Sequence, residues 1–509
     1  MDDAGTAVTS RVHRLLRIVA SLSMVGVLAA HVGSPDVYFA GNAGPYAIDV
    51  AIRPPQVVPG IAEVFVRVAD TSATRVVVRP VFWRAGSKGA PVGDDAEGVK
   101  GTPGAYSGKL WLMASGSYSV HVTVSGPAGS GTAIVPVASV ATGQLALSPF
   151  LTVLLGVLGT LLVAGVITTV NSAAGESQVA PGAIVPPEVQ RRGRRAAIIA
   201  VPVLALIVLG GANWWRSEAA RYRRTLYRPV PTKSSVATRN GVATLTQTIT
   251  DSNWRAGNIT PLMPDHGKMA HLFLVRADSP FVFAHLHPQI VGFTTLTTPL
   301  PPLPAGRYRI FTDIVHESGF QRTLVDSVVL SAAVDSSSVH VLGVDDAWSV
   351  DEVLPVSQAL KQIRGHDGQL YMYWNGPDAV AANQPGVLRI GLSDRKGEPA
   401  SIEPYLGMSG HAVVVREDGK VFIHLHPSGT SSLASEQAFA LRDRGDTTPD
   451  GRLRLDSTAM VHAATPVHLR ELRFPYAFPS PGRYRVYVQV RASGRVHTTG
   501  FDVPVAAGR

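Results

Sequence analysis

Gly482-Arg-Tyr-Arg-Val-Tyr-Val-Gln-Val490, Gly306-Arg-Tyr-Arg-Ile-Phe-Thr-Asp-Ile314 and Gly116-Ser-Tyr-Ser-Val-His-Val-Thr-Val124 are three versions of one sentence. A glycine, a tyrosine two residues on and then alternating β-formers read as a strand opening a late hairpin. Each is followed by a glycine turn and a further strand, as in Phe501-Asp-Val-Pro-Val505. An upstream element also repeats, with Pro59-Gly60 opening one strand and Pro385-Gly386 another. Around these landmarks Val, Ile, Thr and Tyr alternate with polar residues, and Gly or Pro turns recur every ten residues or so. The expected fold class is mainly β, with three immunoglobulin-like antiparallel β-sandwich modules of ordinary size plus two or three transmembrane helices. The alternative is one long irregular β domain.

The 509 residues include no cysteine, eight methionines and sixteen histidines. Disulfide frameworks, thiolate metal sites and thiol nucleophiles are excluded. Charged residues make up only 16%, and the net charge is +9. Part of the basic excess flanks apolar runs, at Arg191, Arg192, Arg194, Arg195 and again from Arg216 to Arg228. That pattern fits membrane flanks rather than a nucleic-acid face.

Three segments read as membrane-directed. Arg11 to Arg17 followed by Ile18–Ala30 has the form of a signal peptide or uncleaved anchor. Leu145 to Val170 carries no charge, and at about 1.5 Å per residue it exceeds the ~30 Å hydrocarbon core. Ala196 to Gly211 is followed by Trp214 and Trp215, which suit a headgroup interface. The expected order is therefore a signal peptide or anchor over 1–34, an extracytoplasmic module over 35–143 and a transmembrane helix over 145–170. A cytoplasmic loop over 171–195, a second transmembrane helix over 196–215, and extracytoplasmic modules over 216–342 and 343–509 follow.

The chemistry lies in the last two modules. One reads Met269-Ala-His271, then His285-Leu-His287-Pro288; the other reads Met408-Ser-Gly-His411, then His424-Leu-His426-Pro427. A turn at Asp418-Gly419, of the two-residue I′ kind, pairs Val413 with His424 and His411 with His426. In the other copy Asp278-Ser279-Pro280 is one residue longer, and so is the histidine spacing, so His271 again falls opposite His287. Residues two apart share a face. His271, His285 and His287 form one triangle, and His411, His424 and His426 another. Either can close on one metal at about 2.0–2.1 Å per nitrogen. Three neutral imidazoles suit copper, with zinc as the alternative. Two alike sites are expected, losing metal as pH falls through about 6.5. The competing reading is packing, because Phe273, Phe283, Val413 and Phe422 share the histidine faces.

Weaker candidates surround these six. Met269 has the parity of His271, whereas Met408 needs a bulge. Asp313, His316 and His497 follow the tyrosine strands, His31 would ligate only at a cleaved N-terminus, and His121 lacks a His-x-His partner.

The Pro-Gly openings and Gly-x-Tyr-x-Val endings resemble the immunoglobulin-like sandwiches of YtkA-like and FixH-like bacterial envelope proteins. The hairpin of His271, His285 and His287, like that of His411, His424 and His426, resembles the His-Leu-His-Pro hairpin of bacterial envelope proteins linked to copper or heavy-metal handling. The stretch from His31 to Tyr46 is similar to a recurring start in such membrane proteins. The resemblance implies a multi-pass protein of the bacterial cell membrane, with β modules outside and envelope metal-handling proteins as partners. The expected function is a non-enzymatic, membrane-anchored metal-binding protein with copper at two sites. A zinc-dependent envelope enzyme and a metal-free interaction scaffold are the alternatives. No glutamate occupies the inner hairpin positions to serve as a base. No nucleic-acid partner is expected.

The topology predicts that reporter fusions at Gly182 and at the C-terminus report opposite compartments; the same compartment for both would remove the two-span arrangement.

Overall fold

Alternation of apolar residues, broken by Gly and Pro, produces antiparallel ladders along most of the chain. The computed structural model describes residues 36–508 apart from 178, 181, 258, 279–281, 352, 357–363, 367–369, 378–379, 450 and 456–466. The N-terminal apolar segment, His31 and Ser279-Pro280 lie outside the described residues. The chain is mainly β and divides into two units, Met1–Ser139 with Arg228–Arg509, and Val140–Tyr227.

In the first β segment a sheet ordered Val37–Ala43, Tyr46–Arg53, Gly60–Val68, Ala105–Leu112, Glu97–Gly98 packs on one ordered Asp94–Asp95, Arg75–Phe82, Gly116–Gly126, Gly129–Ser139. Ile48, Val50, Val64 and Val66 from one sheet meet Val76, Val78, Val120 and Val122 from the other in one core. The second segment builds the ladder Gly306–His316, His271–Arg276, Phe283–Leu286, Ala347–Ser349. Its last strand carries this sheet past residue 342, beyond the boundary expected from the sequence. The third segment repeats the plan with Arg495–Ala506, Gly482–Ala492, His411–Arg416 and Phe422–Leu425. In these two segments the Gly-x-Tyr strand is thus central, between a histidine hairpin and the following strand, whereas Gly116–Gly126 lies between Arg75–Phe82 and Gly129–Ser139. Two departures from antiparallel pairing occur here. Leu354–Pro355 and Val380–Ala381 run parallel to Arg495–Ala506. Both are two-residue pieces of loop that cover an otherwise open edge, and no hairpin dictates their direction.

The histidine hairpins have the expected register. Phe273 pairs with His285 and Leu272 with Leu286; Val413 pairs with His424 and Ala412 with Leu425. The turn at Asp418-Gly419 differs. Only Gly419 of the two has positive φ, 74°, and its N–H donates to Arg416 O at 2.8 Å. An I′ turn needs positive φ at both central residues. The Asp418 carboxylate instead accepts from Lys420 N at 3.0 Å, which holds the aspartate short of the left-handed region.

Both faces of each hairpin are buried. Leu272, Leu274, Ala284 and Leu286 join the core of the second segment, and Ala412, Val414, Ile423 and Leu425 that of the third. The opposite faces meet each other. Phe273, Val275, Phe283, Phe311, Val413, Val415, Phe422 and Tyr487 form one apolar cluster between the two segments. The contacts follow an approximate two-fold pattern. Phe283 of one hairpin stacks on Tyr487 of the other segment's tyrosine strand, with centroids 4.3 Å apart. Phe422 stacks on Phe311, its counterpart, at the same 4.3 Å.

In the Val140–Tyr227 unit, helices Pro149–Glu176 and Pro187–Thr225 contain windows of mean hydropathy 2.6 and 2.3, long and apolar enough to cross a membrane. Ser148 caps the first by accepting from Leu151 N, with Pro149 at its first position. The second extends beyond the expected 196–215 at both ends, and the loop is shorter than 171–195. Pro187 and Glu188 start the helix early, and the arginine-rich flanks are themselves good helix formers. A Cβ at Gly193 would lie 2.7 Å from Asn171 O, so glycine is what lets the two helices approach there.

Phe422 fills the joint between segments and is 1% exposed. Phe422→Ala is expected to cost about 3–5 kcal/mol. Denaturant melts of the full chain in detergent check this; an unchanged midpoint would show that the aromatic joint does not hold the segments.

Candidate metal centre

Because the two hairpins pack face to face, their histidines enter one buried volume at the end of the aromatic joint. His271, His285, His411, His424 and His426 are each at most 2% exposed. A seventh imidazole, His266, joins them. Its ring centroid lies 5.3 Å from that of His411 and 5.0 Å from that of His426. Two groups have donor nitrogens within 4.8 Å of one another and could hold a metal: His271, His285 and His287; and His266, His411 and His426.

The first group is the triangle expected from the sequence, and the carbonyl and amide oxygens facing its rings assign the tautomers. Gln489 Nε2 donates to Thr498 Oγ1 at 3.2 Å, which turns Gln489 Oε1 toward His285. His285 Nδ1 donates to that oxygen at 2.8 Å, leaving Nε2 bare. The Tyr405 hydroxyl donates to Asp345 O and accepts from the same His285 Nδ1 at 3.1 Å. His271 Nε2 donates to Asp265 O at 3.2 Å, leaving Nδ1 bare. These two bare nitrogens face each other at 3.1 Å. His287 Nδ1 donates to the Asp346 carboxylate at 2.8 Å, and its buried Nε2 has no partner among the described residues. Lone pairs pointed together repel unless a cation or a proton lies between them. Two imidazole nitrogens on one ion at about 2.0–2.1 Å stand about 3.3 Å apart at the tetrahedral angle, close to this spacing. Partners that orient a ligand through its second nitrogen are the usual support of a histidine metal site.

The second group differs from the expected triangle by one member. His426 Nδ1 donates to Ser431 O at 2.9 Å, and its Nε2 faces His266 Nε2 at 3.3 Å. Neither ring nitrogen of His411 has a partner among the described residues. His424 sits between the groups, with ring centroids 5.4 Å from His271, 5.6 Å from His285, 5.2 Å from His411 and 4.6 Å from His426. The two triangles expected to be separate, one per module, are therefore parts of one cluster. The physical reason is the aromatic joint, which puts both histidine faces in contact.

His266 was missed because it belongs to a turn. Pro264-Asp-His-Gly-Lys268 and Pro404-Tyr-Leu-Gly-Met408 precede the first histidine of each hairpin. His266 and Leu406 both have left-handed φ, 52° and 51°, and bridges join Asp265 to Lys268 and Tyr405 to Met408. Aligning these turns was the available signal. It also makes Lys268, not Met269, the counterpart of Met408. Met269 is 37% exposed.

The other candidates fall in different places. Asp313 lies opposite His271 in the ladder, accepts from Thr323 Oγ1, and has Oδ2 3.8 Å from His424 Nδ1. His316 donates to Thr260 O, and the His497 ring lies against Ala492 O. His121 is beside Ser119 and Asp443. The loop after His426 is held by the first segment: Ala40 N donates to Ser428 O and Thr430 N to Tyr38 O. A Cβ at Gly429 would lie 1.9 Å from Tyr38 O, so glycine is required for that approach.

A family model described as a domain of unknown function, DUF8832, matches residues 366–507, which include the second hairpin. No curated protein matches the chain. Among solved structures it is similar to a Salmonella alpha-2-macroglobulin, at 12% identity over 93% of this chain and 25% of that one, with TM-score 0.15. The chain thus spans about a quarter of that protein. It is also similar to an ICAM-5 ectodomain fragment, at 8% identity over 91% of this chain and 77% of that one, TM-score 0.14. A biofilm associated protein BSP domain is 7% identical over 97% of this chain and 70% of that one, TM-score 0.13.

Burial first, then the neighbouring imidazoles, hold His271, His285, His411 and His424 well below the usual histidine range. Burial takes His426 and His316 down to about 4. Bare imidazoles thus persist below pH 6.5, and a metal held by them would be lost at a lower pH than the sequence alone suggests. The unfolded chain takes up protons on these rings below about pH 6.5 while the folded chain does not, so folding stability falls from there toward about pH 4. Melting of metal-free protein between pH 7 and 4.5 should show a steady decline; a constant Tm would contradict the neutral, buried cluster.

Proposed function

We propose that the protein is a membrane-anchored, extracytoplasmic metal-binding protein whose three β segments are immunoglobulin-like sandwich modules. Its second and third modules together hold copper, or zinc, in an all-histidine centre. The observation that carries the reading is the 3.1 Å approach of His271 Nδ1 and His285 Nε2, both bare in the tautomers assigned from the partners of their other nitrogens. A packing role would pair such nitrogens with donors, because a buried polar atom without a partner is costly. Copper is preferred over zinc by the usual divalent order at a site of imidazoles alone. Burial of the ligands favours holding or handing on an ion over hydrolysis, which needs substrate access to an open metal position. The two apolar helices support anchoring in a cell membrane, and the arginines beside them support the side assigned to the β modules.

The test is elemental analysis of the full chain, purified in detergent and dialysed against cupric or zinc ion at neutral pH. Bound metal is expected, with His271→Ala losing the ion of the first group. A folded full chain that retains no metal would overturn the reading.

A further inference from the structure

Two histidine groups are usually the mark of two separate sites, but here the ring of His424 lies between them. His424 has its own hydrogen-bond capacity unused: its buried Nε2 has no partner among the described residues, and Nδ1 is 3.8 Å from Asp313, too far for a hydrogen bond. Its ring centroid lies 5.4 and 5.6 Å from those of His271 and His285 on one side, and 5.2 and 4.6 Å from those of His411 and His426 on the other. His411 likewise has no hydrogen-bond partner among the described residues, but its ring lies against His266, His424 and His426, whereas that of His424 faces both groups. His285, its counterpart in the first hairpin, is tied to Gln489, whereas His424 faces Asp313 at the matching position of the other tyrosine strand.

Carboxyl groups are buried beside the imidazoles as well. Asp265 and Asp313 are each 5% exposed, and no Lys or Arg pairs with either among the described residues. Asp265 accepts from Ala434 N, and Asp313 from Thr323 Oγ1. The Asp346 carboxylate, with a side chain 5% exposed, is paired to His287. Beside Asp265, Glu436 has a buried carboxylate oxygen without a partner among the described residues. Carboxylates are rarely buried without compensating positive charge. Among the described residues, the basic groups nearest Asp265 and Asp313 are the imidazoles of His266 and His424, and a bound cation would supply the compensating charge.

Resting on the metal-binding reading above, we propose that the cluster is one dinuclear centre for two divalent first-row transition ions, with His424 as a ligand that either ion can take. One ion occupies His271, His285 and His287, and the other His266, His411 and His426. With a single ion present, His424 completes its shell from whichever group is filled. A second ion draws on the same imidazole, so filling one group alters the other's coordination. His424 is then also the short path by which an ion passes between the groups, since it can hold the ion while one group releases and the other binds. His266 belongs to the second segment but binds with the third, so the second ion ties the two segments together.

The experiment uses the full chain in detergent, loaded with one equivalent of cupric ion and then one of zinc. The copper EPR spectrum is recorded before and after zinc, and both metals are counted by elemental analysis in the same samples. The expected result is two metals per chain and a change in copper hyperfine splitting when zinc enters; in His424→Ala that change is lost. Affinity for the second ion is expected to be lower than for the first by about tenfold. A single metal per chain would overturn the dinuclear centre while leaving metal binding in place. Two metals with an unmoved copper spectrum in the unaltered chain, or a change that survives His424→Ala, would overturn the shared role of His424. No metal in a folded chain would overturn the metal-binding reading itself.

Discussion

The contact of Phe273, Phe283, Phe311, Phe422 and Tyr487 between two β segments is the constraint on which the rest of the centre depends. Each hairpin strand already buries one face in its own segment, through Leu272 and Leu274 or Ala412 and Val414. The second face is apolar too, and it finds its partner in the equivalent face of the other segment. Histidines at the ends of those strands have no separate choice of environment. They are carried into the joint by the same alternation that places the phenylalanines. Area removed from water by the aromatic residues outweighs the cost of burying imidazoles, provided that the imidazoles stay neutral or share a cation.

That origin explains the asymmetry inside an approximate two-fold arrangement. The positions facing the second histidine of each hairpin from the opposite tyrosine strand are Gln489 and Asp313. Gln489 reaches His285 and orients it, while Asp313 turns to Thr323 and leaves His424 unoriented. The turns before the first histidines carry His266 in one copy and Leu406 in the other, with Tyr405 and Asp265 as further counterparts. Tyr405 buttresses His285 across the joint, and Asp265 offers its carbonyl to His271. The first group therefore takes support from both segments, and the second draws one member, His266, from the other segment.

Six of the seven imidazoles were legible from spacing alone, because a one-residue change in the turn was matched by a one-residue change between histidines. Register is a local property, and local arithmetic recovers it. His266 was not legible in that way, since it sits in a left-handed turn outside any strand period, and only the alignment of Pro264–Lys268 with Pro404–Met408 exposes it. The meeting of the hairpins was not legible either. Phe273, Val413 and their neighbours read alike for an internal core and for a joint between segments. The hint lay in strands apolar on both faces, which are buried on both faces. Helix ends differ from the hydropathy bounds for the reverse reason: hydropathy marks where a chain can sit in lipid, while Pro187, Glu188 and the arginines decide where the helix begins and ends.

The central claim is that buried imidazoles, and no sulfur, hold a metal in the joint between the two segments. X-ray absorption at the copper edge of the full, copper-loaded chain in detergent tests it most directly. The account predicts a first shell of nitrogen at about 2.0 Å with the outer-shell scattering of imidazole rings. A first shell dominated by sulfur at about 2.3 Å, or by oxygen without imidazole scattering, would contradict it.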